Sequence, residues 1–95
     1  MKKLPDEPYY VFVLYISGMN IHSLNAVKNL RKICETHLPG RYEIKVVDQL
    51  KDSEKILHNE IMVFPTVVKV LPSPERKLVG DLSNTAQVLI NLGIK

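Results

Sequence analysis

Phe64-Pro65-Thr66-Val67-Val68-Lys69-Val70-Leu71-Pro72-Ser73-Pro74-Glu75-Arg76-Lys77-Leu78-Val79 is the stretch that decides the architecture. From Thr66 to Leu71 it is mostly β-branched and apolar, which predicts a strand. Pro65 stands just ahead of that strand, where a residue without an N–H is tolerated. Pro72-Ser73-Pro74 supplies a turn, and Arg76 to Val79 a second short strand. Together they predict an antiparallel hairpin ended by Gly80-Asp81. Beyond it Ser83 is placed to cap a last helix whose apolar residues are Ala86, Leu89, Ile90 and Leu92.

Upstream, Tyr9-Tyr10-Val11-Phe12-Val13-Leu14-Tyr15-Ile16 is apolar without polar alternation, as in a central strand covered on both faces. Ser17-Gly18-Met19-Asn20 breaks it. A helix follows from about Ser23 to Leu38, with Leu24, Val27, Leu30, Ile33, Cys34 and Leu38 as its apolar stripe. Ser23 or Asn20 can cap its start, and Pro39-Gly40 ends it. Tyr42 to Val47 alternates and predicts a strand. Strand, long helix, strand implies a right-handed parallel crossover. Asp52 or Ser53 can cap a short helix to about Asn59, with Ile56 and Leu57 inward.

The order β-α-β, α, β-β-α resembles the thioredoxin-like plan: an α/β single domain with helices on both sheet faces. In that fold the proline before the third strand is usually cis, so Pro65 is the candidate structural cis-proline. Residues 1–8, with two prolines and four charges, read as a flexible arm, and 9–95 as the domain. One region keeps two readings. Val88-Leu89-Ile90 could pack as a helix face or a buried strand, and Lys69 to Asp81 could carry a helix begun by a proline. Two packings of one sequence are physically allowed in rare proteins.

With 95 residues the chain holds one modest core. It is 45% hydrophobic and 24% charged, which excludes global disorder. The net charge of +3 is a mild basic excess. The basic face Lys28, Arg31, Lys32 and the group Lys69, Arg76, Lys77 lack interleaved aromatics, so no nucleic-acid partner is expected. The longest apolar run, eight residues from Tyr9 to Ile16, is far short of the ~20 that span a membrane. No signal-peptide pattern opens the chain, so a cytoplasmic protein without a membrane partner is expected.

Chemistry is sparse. A redox pair of the thioredoxin type would lie between the first strand and first helix, where this chain has Ser17-Gly18-Met19-Asn20-Ile21-His22-Ser23. No thiol stands there to form the nucleophilic thiolate. Cys34, the single cysteine, falls on the apolar stripe as a small core residue. His22, His37 and His58 are scattered without metal-ligand spacing, and no phosphate loop or catalytic triad pattern occurs. No cofactor, metal or catalytic residue is expected. Disulfide-reductase activity should be absent. Insulin reduction above background, lost on Cys34→Ala, would contradict this.

Several blocks carry a resemblance. They are Val13-Leu14-Tyr15-Ile16-Ser17-Gly18, then Ser23, Ala26 and Leu30, then Tyr42 to Asp48, and above all Pro65 to Ser83 with its Pro-Thr, Leu-Pro-x-Pro, Arg-Lys and Gly-Asp-Leu-Ser. From about Tyr9 to Leu92 the chain resembles the KaiB family of circadian clock proteins. The resemblance implies a non-enzymatic regulator that binds the hexameric ATPase KaiC. It also implies capture of KaiA, and displacement or recruitment of sensor histidine kinases with KaiB-like domains. It further implies a metamorphic chain, thioredoxin-like and monomeric in one state and tetrameric, with a rearranged C-terminal half, in the other. The partner-binding candidates are Glu43, Lys45, Glu60, Arg76 and Lys77. Arg76 and Lys77, adjacent on a strand, should point to opposite faces, one exposed and the other leaning on the sheet or a helix. Clock members often have a lysine where Glu60 stands and a small residue where Glu43 stands. Asn91 replaces a glycine common there, which favours the helical state by up to a few tenths of a kcal/mol. These departures suggest a homologue outside the best-known clock. A thioredoxin-fold stress or chaperone-like factor, or a kinase-sensor-like interaction module without redox activity, is the other reading.

Overall fold

The structure, a computed structural model, describes residues 8–51 and 63–94. Strand β1 (Tyr10–Ile16), helix α1 (Ile21–His37) and strand β2 (Tyr42–Asp48) are followed by β3 (Thr66–Leu71), β4 (Arg76–Val79) and helix α2 (Thr85–Leu92). The short helix expected from Asp52 or Ser53 to Asn59, residues 1–7 of the expected arm and Glu60 all lie outside the described residues.

The sheet order is β2-β1-β3-β4. β1 pairs with β2 in parallel from Tyr10↔Tyr42 to Ile16↔Asp48. β1 and β3 run antiparallel, with a register shift between Val11 and Phe12. β3 and β4 form the expected hairpin, from Thr66↔Val79 to Lys69↔Arg76, and its base is closed by the Gly80 N–H donating to the Pro65 carbonyl at 3.0 Å. The Phe64–Pro65 peptide bond is cis, as are Leu71–Pro72 and Ser73–Pro74.

β1 is central, and its alternate residues feed two cores. Tyr10, Phe12, Leu14 and Ile16 face Ala26, Leu30, Ile33, Cys34 and Leu38 of the α1 segment and Val88 and Leu92 of α2. Tyr15, on the other face, joins Val47 and Val68 in a smaller cluster. Both described helices therefore lie on one side of the sheet.

Three local expectations are corrected. On α1, Leu24 is exposed and Ser23 takes the inward position, because the inward stripe runs through Ser23, Ala26, Leu30, Ile33 and Cys34. On α2 the inward residues are Val88 and Leu92, while Ala86 and Ile90 face solvent. Ser83 does not cap α2. Asn84 does, its side chain accepting from the Gln87 N–H at 3.1 Å. The cause is Leu82, which is buried and holds φ at +64°. Driving that side chain into the core moves the first helical turn one residue on.

Asn20 is the cap of α1, accepting from the Ser23 N–H at 2.9 Å. Asn20→Ala leaves that donor without its partner and is expected to cost about 1 kcal/mol. Urea denaturation followed by circular dichroism checks this.

Candidate partner-binding surface

The loop where a thioredoxin would carry its thiols is fixed by other chemistry. Gly18 adopts φ +74°, the left-handed region that favours glycine. Its N–H donates to Asp48 Oδ1 at 3.0 Å, and the Leu50 N–H donates to the same oxygen at 3.0 Å. Gln49 Nε2 donates to Ser17 Oγ at 3.0 Å. The ends of β1 and β2 are thus tied by side chains rather than by a redox pair. Cys34 is fully buried, and burial together with nearby Glu35 pushes its thiol up to about 12. It supplies no thiolate near neutral pH. Among the described residues no group of His, Cys, Asp and Glu is placed to hold a metal ion, and no helix is long and apolar enough to cross a membrane.

The two backbone N–H groups hold the Asp48 carboxyl below the usual carboxylate range. A depressed folded-state value means the carboxylate stabilises the fold above the unfolded value of about 4. That contribution fades as pH falls through the lower folded value. Asp48→Asn is therefore expected to lower stability at pH 7 and to flatten the acid limb, wild type and variant converging as pH falls through the lowered folded value. Urea midpoints measured from pH 7 to pH 2.5 check it, and parallel curves would contradict it.

The described partner candidates fall at the two edges of the sheet. Glu43 and Lys45 are exposed on β2, and Arg76 and Lys77 are exposed on β4. With β1 and β3 between them, the edges stand ~14 Å apart at the usual strand spacing. Their faces differ. Glu43 and Lys45 pair with Val11 and Val13, and Lys77 with Val68, all on the sheet face away from α1 and α2. Arg76 pairs with Lys69, on the helix-bearing face. So the geometry gathers Glu43, Lys45 and Lys77 on one face and leaves Arg76 on the other. The expectation that one of Arg76 and Lys77 leans on the fold is corrected: they point to opposite faces, yet both are exposed. A four-residue edge strand has one neighbour only, and both long side chains reach water from it.

The sequence grouping Lys69, Arg76, Lys77 also dissolves, since Lys69 is 2% exposed. Burial, aided by the charge of Arg76, lowers its ammonium from the ordinary lysine value. Two further polar features differ from the sequence reading, which had Ser23 only as a possible cap and did not single out Tyr42 with Glu35. The Ser23 Oγ is buried with no hydrogen-bond partner. Tyr42 donates its hydroxyl to Glu35, which pushes the phenol up to about 12. Only the spacing Tyr42 to Glu35 across the Pro39-Gly40 turn could have hinted at the second.

Comparison with known proteins adds the lineage. The sequence model of the KaiB domain matches residues 13–94. The circadian clock oscillator protein KaiB of Thermosynechococcus vestitus is 42% identical over 90 residues, which cover 95% of this chain and 83% of that protein. Among solved structures, chloroplastic thioredoxin z superposes with a TM-score of 0.72 at 18% identity, covering 90% of this chain and 76% of its own. The N-terminal domain of Synechococcus elongatus SasA gives 0.72 at 15% identity, covering 94% and 87%. Both neighbours carry the thioredoxin-like fold that the sheet order describes. By its matched domain and its curated relatives, this chain belongs to the KaiB family.

Proposed function

We propose that the chain is a non-enzymatic, cytoplasmic KaiB-type regulator that binds a KaiC-like ATPase ring and modulates its phosphorylation state or signalling output in rhythmic regulation. The observation that carries this reading is the family match over nearly the whole domain, on a chain whose one thiol is buried and inert. Glu43, Lys45, Glu60, Arg76 and Lys77 are the residues proposed to meet the partner. KaiA, or a sensor histidine kinase with a KaiB-like domain, is a further partner under the same reading. The thioredoxin-like state is proposed to act as a monomer, with a tetramer available to the alternative packing.

The test is co-migration with a hexameric KaiC-like ATPase from the same cells, followed by titration at several salt concentrations. Arg76→Ala/Lys77→Ala is expected to weaken binding at least tenfold and to reduce its salt dependence, because exposed cations act mainly through screened attraction. Failure of the wild-type chain to co-migrate would sink the partner. Unchanged affinity and salt slope in the double variant would sink the surface.

A further inference from the structure

Lys69 is the one charged residue buried among those described. Its ammonium has no hydrogen bond or ion pair with another described residue. It stands on β3 directly across from Arg76 of β4. Side chains so paired lie on the same face with Cβ atoms ~5 Å apart, where like charges repel. The Lys69 stem is buried but its nitrogen is not sealed from solvent; two like charges on one face still repel, and an anion between them relieves that repulsion.

The end of α2 supplies part of the compensation. A Cβ placed on Gly93 would lie 3.5 Å from Lys69 Nζ, so the ammonium sits at the helix C-terminus, where the backbone dipole favours positive charge. That dipole amounts to about half an elementary charge, too little to neutralise both Lys69 and Arg76.

Both cations line one cavity of about 350 Å³ beside the β3–β4 turn. Tyr10, Pro72 and Pro74 also line it and give it an apolar share. The volume is at the lower end of sites that take small organic ligands and is generous for a bare inorganic anion. We propose that this cavity binds a carboxylate carried on a short apolar stem, the carboxylate between the Lys69 ammonium and the Arg76 guanidinium and the stem against Tyr10 and the prolines. An arginine fork suits a carboxylate geometrically. The stem can belong to an acidic side chain of a partner protein or to a free dicarboxylate. The proposal does not depend on the KaiC reading, because it can be tested on the isolated chain.

The test is titration of the ¹⁵N-labelled full chain, followed by amide chemical shifts. Four probes are used: N-acetyl-L-glutamate methylamide, glutarate, inorganic phosphate, and sodium chloride at matched ionic strength. Saturable, millimolar binding of the first two is expected, with shifts centred on Tyr10, Lys69, Arg76 and Gly93. Tighter binding of the capped glutamate assigns the site to a partner's side chain, and tighter binding of glutarate to a free dicarboxylate. Lys69→Met should weaken binding at least tenfold. Arg76→Gln, an exposed change with little risk to folding, should do the same, while Lys32→Gln on α1 should leave it unchanged. Equal shifts with sodium chloride, phosphate binding as tight as either carboxylate, or undiminished binding in both cavity variants would each overturn the proposal.

Discussion

Leu92→Ala is expected to cost about 2–5 kcal/mol of stability, whereas Ile90→Ala, two residues away, should change it by less than about 0.5 kcal/mol. The two residues are both branched aliphatic side chains of equal size on α2, and they face in different directions. Leu92 is fully buried in the main core, and Ile90 is 75% exposed. A helix of eight residues is too short to persist alone. It exists because Val88 and Leu92 pack with the sheet, so removing Leu92 takes away one of its two anchors. For a domain of this size each kcal/mol moves Tm by about 4–8 °C, so the Leu92 variant should melt at least about 8 °C lower. Thermal and urea denaturation of both variants, followed by circular dichroism, decides it. A larger loss for Ile90→Ala than for Leu92→Ala would place the inward face of this segment on the other side.

Lys69→Met is expected to work in the opposite direction and raise stability by about 1–2 kcal/mol. Methionine keeps the length of the side chain and most of its packing. It removes a charge that burial desolvates and that faces Arg76 across the hairpin. Replacing a buried charge by a well-packed apolar residue is often stabilising for this reason. The comparison is made in low salt without added carboxylate, since an anion bound to the native state would add its own stabilisation. A loss of stability of similar size would show that the ammonium is already compensated, and the cavity would lose its reason to bind an anion. A gain, together with lost carboxylate binding, would mark Lys69 as a residue that serves the site and not the fold.

Much of the fold is legible in single residues. The run Tyr9 to Ile16 has no polar alternation because its strand lies between β2 and β3, with one face in the main core and the other, carrying the half-buried Val11 and Val13 and the buried Tyr15, against a smaller cluster. The alternation of Tyr42 to Lys45 reads equally well, since this stretch of β2 is an edge with one face towards the core. Pro65, the Pro72-Ser73-Pro74 turn and the absence of thiols between Gly18 and Ser23 are local facts that no packing can change. They point to the hairpin and leave no pair of thiols in the first loop.

What the tertiary structure decided is direction. Periodicity in α2 allows more than one inward face, because eight residues make little more than two turns and Val88, Leu89, Ile90 and Leu92 are all apolar. The buried Leu82 chose among them by setting where the helix begins. The cap passed from Ser83 to Asn84 for the same reason. In α1, Ser23 went inward and Leu24 outward, an angular choice made by the whole helix against the sheet. The charges show the largest gap between the two levels. Lys69, Arg76 and Lys77 read as one basic group along the chain, yet the hairpin places Lys69 and Arg76 on one face and Lys77 on the other. From Tyr10 to Asp48 the sequence determined which residues form strands and helix, because those preferences are set by neighbours a few positions away; in the C-terminal half, where it allowed two packings, the tertiary structure chose the hairpin and the helix. Which side chains are buried, and which cations meet, depends on strand register and helix rotation. Those are fixed only when distant segments pack together.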